Sequence, residues 1–97
     1  MKKTKKYIVR SHLAGVFYGE VVKHDKDEIT MRNVRKIWYW EGACTVEELA
    51  ANGTTCPENC KFTVKIDEMT IANPIQIIPC TEKAVASLEK AHEWSCF

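Results

Sequence analysis

One stretch of the chain gathers the side chains best suited to recognising a ligand: Ile29-Thr30-Met31-Arg32-Asn33-Val34-Arg35-Lys36-Ile37-Trp38-Tyr39-Trp40. Guanidinium groups pair bidentately with phosphate, and aromatic rings stack on a base whatever its identity. Three cations beside three aromatics therefore point to a small nucleotide-like anion. In this reading Arg32, Arg35 and Lys36 engage phosphate, while Trp38, Trp40 or Phe17 stacks on the base. Ser11 and Thr54 are the expected hydrogen-bond donors from neighbouring loops. The competing reading places Trp38 and Trp40 in the core or a subunit interface, where aromatics dominate, and makes the charges a solvated face. Arg32 and Arg35 have opposite parity on a regular strand. They converge only if Asn33 forms a bulge or if one of them meets ligand held in a neighbouring subunit. Replacing either by Ala is expected to weaken ligand binding and to leave folding little affected.

Other reactive residue types do not assemble into a known pattern. Cys56-x-x-x-Cys60 is a single close pair, and structural zinc needs a second pair, which Cys44 and Cys80 do not supply. Five cysteines are an odd number, and no export signal is visible, so free thiols are expected rather than disulfides or a metal site. His12, His24 and His92 are scattered, with no signature of a nucleophile or an orienting partner. Gly15-x-x-x-Gly19 lacks the Lys-Ser/Thr of a phosphate loop, and no hydrolase, zinc-protease or dinucleotide motif occurs. A non-enzymatic protein is expected, with no catalytic residues and no cofactor.

The elements that must position these residues follow from composition and periodicity. Ninety-seven residues, 45% of them hydrophobic, fit one domain spanning 1–97. Residues 1–6, with Lys2, Lys3, Lys5 and Lys6, read as a flexible basic N-terminus. Fourteen Lys and Arg against thirteen Asp and Glu give a net charge of +1, which argues against a general nucleic-acid groove. Arg10 and His12 break any apolar run after the basic start, and no stretch approaches a membrane span. The expected location is the cytoplasm, without membrane association.

Tyr7-Ile8-Val9-Arg10 is β-prone, and Val16-Phe17-Tyr18 runs through Gly19 and Glu20 to Val21-Val22. His24-Asp25-Lys26-Asp27-Glu28 is a turn. The Ile29 strand follows, with Asn33 as a bulge or corner. Val34, Lys36, Trp38 and Trp40 are expected on one face, and Arg35, Ile37 and Tyr39 on the other. Thr45-Val46-Glu47-Glu48 is a capping box: the Thr45 hydroxyl accepts from the Glu48 amide, and the Glu48 carboxylate reaches back. Gly53 ends that helix. Phe62, Val64 and Ile66 alternate as a strand, a turn is expected at Asp67-Glu68, and residues 69–72 form a further strand. Residues 75–78 form the last strand, bounded by Pro79. Thr81-Glu82 opens a second helix with Val85, Leu88 and Ala91 or His92 on one side. Trp94 and Phe97 are expected to fold back. The architecture is mainly β: a small antiparallel β-barrel or curved sheet with two short helices. Gly15 and Gly19 suit strong bending.

The string Ala14-Gly15-Val16-Phe17-x-Gly19, then Arg32-x-x-Arg35-Lys36-Ile37-Trp38-Tyr39-Trp40-x-Gly42-Ala43, then Glu48-Leu49-Ala50-x-x-Gly53-Thr54, resembles a family of small phage and prophage proteins of unknown function. The resemblance continues through Cys60-Lys61-Phe62, residues 75–78 and Trp94. Residues 15–34 also resemble the strand-turn-strand rhythm of Sm-like RNA-binding barrels, which supports the barrel. The first resemblance implies a bacterial host cytosol and an accessory or anti-defence protein that sequesters a nucleotide signal of host immunity. It transfers no catalytic residues. Alternatives are a module binding nucleic acid or a host protein, nucleic acid being less favoured, and a virion structural or assembly protein. A homo-oligomer is expected, because the apolar Phe62-Val64-Ile66 face invites completion by a second subunit.

Overall fold

The alternation of β-branched and aromatic residues over the first forty positions forms strands that pair in sequence order. The computed structural model describes residues 5–94. Expectations about Lys2, Lys3, Cys96 and Phe97 lie outside these residues. Strands β1 (Tyr7–Ser11), β2 (Gly15–His24) and β3 (Glu28–Tyr39) make an antiparallel meander. Strand β6 (Pro74–Pro79) returns to the free edge of β1. The far edge of β3 is shared: β5 (Ile66–Ala72) pairs with its first half and β4 (Lys61–Phe62) with its end. Among the described residues this is one open, six-stranded antiparallel sheet; β5 and β6 are joined through Asn73 but do not pair to close a barrel. Of the two expected forms, the curved sheet is the one realised.

Both faces of the curved sheet carry core. On β1 the neighbours Ile8 and Val9 are fully buried on opposite faces. Val9, Phe17, Ile29, Met31, Val34 and Ile71 fill one side. Ile8, Tyr18, Ile37 and Phe62 pack on the other against helix α1 (Val46–Asn52) and helix α2 (Glu82–Leu88), through Leu49, Ala50, Ala84 and Leu88. Burying each large side chain contributes about 1.5–3 kcal/mol, so the two short helices matter here as lids for the sheet.

Strand β3 changes faces at Asn33. Tyr18 pairs with Arg35 and Glu20 with Arg32, so two residues of β3, Asn33 and Val34, lie against Gly19 alone. Asn33 takes a φ of 50°, in the region Asn tolerates better than most residues. The expected bulge is present, and it forces Gly19: a Cβ there would sit 2.9 Å from the Val34 Cα and 3.0 Å from the Arg32 carbonyl.

Two expectations about the outer edge need correction. Residues 62–66 do not form one strand. Phe62 pairs with Ile37 and Ile66 with Val34, so the outer chain has one residue more than β3 between these pairs. The surplus is accommodated at residues 63–65, outside any strand, where the Thr63 amide donates to the Lys36 carbonyl at 2.9 Å and the Thr63 hydroxyl accepts from the Lys36 amide at 2.9 Å. Nor is there a turn at Asp67-Glu68, because β5 runs straight through both in regular register with β3. Phe62 turns fully inward, while Val64 and Ile66 stay exposed.

The helices start as their caps predict. Thr45 accepts from the Glu48 amide at 3.1 Å, and Thr81 accepts from the Ala84 amide at 3.1 Å. The Glu48 carboxylate reaches one residue further back than expected and takes the Cys44 amide at 2.8 Å. Gly53, with φ 77°, ends α1 by donating to the Leu49 carbonyl. No helix among the described residues is long and apolar enough to cross a membrane.

Candidate functional site

The Asn33 bulge puts Arg32 and Arg35 on the same side of the sheet, as convergence on one ligand would require, yet their environments differ. Arg32 is exposed. Arg35 is 8% exposed, donates through Nε to the Thr63 carbonyl and through Nη1 to the Ala91 carbonyl, both at 3.1 Å, and lies 4.9 Å over the Phe62 ring. Burial lowers its pKa, and Glu89 and Glu93 oppose that shift. Its guanidinium is thus committed to pinning the C-terminal segment onto the sheet.

Most of the remaining expected site residues are likewise engaged internally. Phe17 is core. The Ser11 hydroxyl donates to the Ala72 carbonyl at 2.9 Å, linking the ends of β1 and β5. The Thr54 hydroxyl donates to the Glu41 carbonyl and accepts from the Cys56 amide at 3.0 Å, which fixes the loop after α1. Both hydroxyls therefore serve the fold rather than standing free as ligand donors. Lys36 is half-buried alongside Gly15. Trp40 packs against the helix-side core and donates from its indole to the Ala43 carbonyl at 3.2 Å. Trp38, 44% exposed, is the one expected stacking residue that presents its ring to solvent.

Around Trp38 the structure assembles a cluster that includes residues not expected at the site. Ile37 pairs with Phe62 and Tyr39 with Lys61, so Trp38 is an extra residue on β3, a second bulge. That bulge lets the consecutive residues Trp38 and Tyr39, which a regular strand would send to opposite faces, both approach Lys61. The Lys61 Nζ lies 5.0 Å from the Trp38 ring, 5.5 Å from Tyr39 and 5.4 Å from Trp94. Trp38 and Trp94 meet edge to face, with centroids 4.7 Å apart at 65°. Trp94 does fold back, as expected. Its amide donates to the Phe62 carbonyl at 2.8 Å, next to a parallel bridge between Phe62 and Glu93.

A cleft of about 460 Å³ opens beside this cluster. Tyr39 and Trp94 form its aromatic wall; Glu41, Glu58 and Glu93 bring carboxylates, and Lys61 and His92 bring its basic groups. The Glu41 carboxylate accepts from the Tyr39 phenol and, at 3.3 Å, from the Asn59 amide. The bond to Glu41 raises the Tyr39 pKa. Cys60, though buried, also lines the cleft, its thiol 3.6 Å from the Glu41 carbonyl. Cys44, Cys56, Cys60 and Cys80 are free thiols. Sequence parity hid this site, because it put Tyr39 on the face away from Trp38 and left Lys61 as one polar residue in an alternating run. Beyond the exposed ring expected of Trp38, the adjacency of Lys61 to Phe62 and the fold-back of Trp94 were the available signals.

The family model described as a domain of unknown function (DUF6948) matches residues 4–88, which include the whole sheet and both helices. No curated protein and no solved structure matches the chain.

Proposed function

The chain belongs to the DUF6948 family, a domain of unknown function, and we propose that it is a non-enzymatic binding protein whose working surface is the Trp38–Tyr39–Trp94 end of the sheet. The group it takes there is a cationic side chain of a host protein. One observation carries this reading: three rings with solvent-exposed surface converge on a single ammonium at the rim of a cleft lined by Glu41, Glu58 and Glu93. Ring faces are the negative pole of the aromatic quadrupole, and the carboxylates outnumber the cations of the cleft, so the field favours a cation. In the phage or prophage setting that the sequence resembles, such a protein acts by occupancy, as an accessory or anti-defence factor in the host cytoplasm. Exposed Val64 and Ile66 support self-association of the same protein; a light-scattering mass equal to the 11.1 kDa monomer at micromolar concentration would remove that part.

A second reading keeps the nucleotide-like anion, with a base on Trp38 or Trp94 and phosphate on Lys61. The observation in its favour is that a cation and open ring faces stand together at one place. Calorimetric titration separates the two. Lys- and Arg-bearing peptides, and a panel of linear and cyclic nucleotides, are titrated into wild type, Trp38→Ala and Lys61→Ala. Peptide binding that weakens in Trp38→Ala and persists in Lys61→Ala supports the cation reading. Nucleotide binding lost in both variants replaces it with the anion reading. If wild type binds neither class, the site has no such role.

A further inference from the structure

Lys61 is held where a ligand would be held. Its ammonium, at the end of a flexible stem from the short edge strand β4, faces Trp38, Tyr39 and Trp94 at 5.0–5.5 Å. Two of those walls stand at 65° to one another, so they bound a corner rather than a flat platform. The third, Tyr39, is fixed by its phenol bond to Glu41, and Asn59 holds the other oxygen of that carboxylate. The walls are anchored: Trp38 by the β3 bulge, and Trp94 by the hydrogen bond its amide donates to the Phe62 carbonyl and by Arg35 gripping the Ala91 carbonyl three residues earlier.

We infer that these three rings form an aromatic cage for a trimethylammonium-type cation, and that Lys61 is its internal occupant, displaced when ligand binds. This rests on the proposal that the cleft is the working surface, and it adds the class of ligand and the competitor. A primary ammonium is small and strongly hydrated, so it gains little from rings about 5 Å away while keeping its water. A quaternary ammonium holds its nitrogen further from a ring by the radius of its methyl groups and has no N–H to desolvate. It therefore matches rings at this spacing better than Lys61 does. With Lys61 swung out, Glu41, Glu58 and Glu93 remain around the cleft, and the field becomes more favourable to an incoming cation. The same carboxylates oppose a ligand that carries its own carboxylate close to the quaternary nitrogen. Choline should bind and glycine betaine should not. An internal competitor lowers apparent affinity by the fraction of time it occupies the cage.

The test is titration of the full chain with tetramethylammonium, choline, glycine betaine and arginine amide, read by tryptophan fluorescence and by calorimetry. Wild type should bind tetramethylammonium and choline weakly. Lys61→Ala should bind them at least about tenfold more tightly, because the competitor is gone. Adding Trp94→Ala or Trp38→Leu to Lys61→Ala should abolish that gain. Urea midpoints of all variants establish that each is folded, and Trp38→Leu keeps the test alive if Trp94→Ala is not. The inference is overturned if Lys61→Ala binds no more tightly than wild type, or if the gain survives loss of either tryptophan. Equal affinity for glycine betaine and choline overturns it too. Arginine amide binding that depends on Trp38, without any quaternary binding, sinks the cage but leaves the cleft as a cation site. Binding of no cation at all sinks both.

Discussion

Arg35 and Lys61 are two cations on adjacent strands, each over an aromatic ring, and they are put to opposite uses. Arg35 lies beneath the C-terminal segment with two of its donors on backbone carbonyls and its charge over a buried phenylalanine. Lys61 sits at the rim among three rings that retain solvent exposure. The same pairing of cation and ring is structural where donors are consumed and water is excluded. It is a candidate for recognition where the partners are rings alone and the surface is open. Two tyrosine–carboxylate pairs repeat the contrast. Tyr18, 1% exposed, donates to Glu89 at 2.6 Å across the helix-side core, whereas Tyr39, 41% exposed, donates to Glu41 at the cleft.

The largest expected effect separates the two cations. Arg35→Met removes both donors, leaving the Ala91 and Thr63 carbonyls without them, and should destabilise the fold by on the order of 3 kcal/mol. Lys61→Met should cost less than about 1 kcal/mol, since a half-buried cation at the rim, over rings alone, contributes little. Urea unfolding of the two variants measures the difference. Comparable losses would collapse the distinction between a buried and an open region. This reverses the expectation, drawn from sequence, that losing Arg35 spares the fold. Composition marks Arg35 as a cation beside aromatics, but its burial depends on residues 89–94, more than fifty positions away.

That reversal shows where the sequence was readable. Elements governed by local rules were legible: the Thr45 and Thr81 caps, the His24-to-Glu28 turn, and the Asn33 bulge that Gly19 accommodates. What escaped depends on register between distant strands. The surplus residue between Phe62 and Ile66 is visible only once both are paired with β3, and it breaks a strand whose alternation looked regular. The bulge at Trp38 likewise defeats parity at the position where the candidate site forms. Of the residues named in advance, Trp38 belongs to that site, while Ser11, Thr54 and Arg35 proved to be hydrogen-bonding members of the fold.

The tyrosine pairs sharpen the comparison at a smaller scale. Tyr18→Phe should cost about 1.5 kcal/mol, the low end for a hydrogen bond to a charged acceptor, because the exposed Glu89 regains water. Tyr39→Phe should leave the unfolding midpoint unchanged. Burial, followed by the bond to Glu89, raises the Tyr18 pKa above its ordinary value of about 10. The folded state then retains the proton longer than the unfolded chain. The associated stability is complete below pH about 10 and is lost as pH rises further. Burial also pushes the Cys80 thiol up to about 12, which adds an alkaline loss of the same sign. Tyr18→Phe should therefore flatten part of the decline in stability above pH about 10. An unaltered decline would mean that Tyr18 ionises as readily in the folded protein as in the unfolded chain.

The smallest effect lies at the bulge and has the opposite sign. Glu20 accepts from the Asn33 amide at 3.0 Å and from the Lys6 ammonium at 3.2 Å, beside the bulge that brings Arg32 and Arg35 to the same side of the sheet. Asn33 is the first cause of its lowered pKa, and Lys6 adds to it against the cost of partial burial. A carboxylate held below its ordinary value contributes stability that is fully present above about pH 4.3 and is lost as pH falls through the folded value. Glu20→Gln should therefore be slightly less stable at pH 7, and its stability should fall less steeply than wild type below pH about 4.3. Asn33→Ala removes the same hydrogen bond and also places a residue that resists positive φ at the bulge. It should lose stability at every pH as well as flattening the acid slope. Urea midpoints measured from pH 7 down to pH 3 distinguish the two. If Glu20→Gln keeps the wild-type acid slope, the charge of Glu20 does not hold the bulge, and the curvature rests on Gly19 and Asn33 alone.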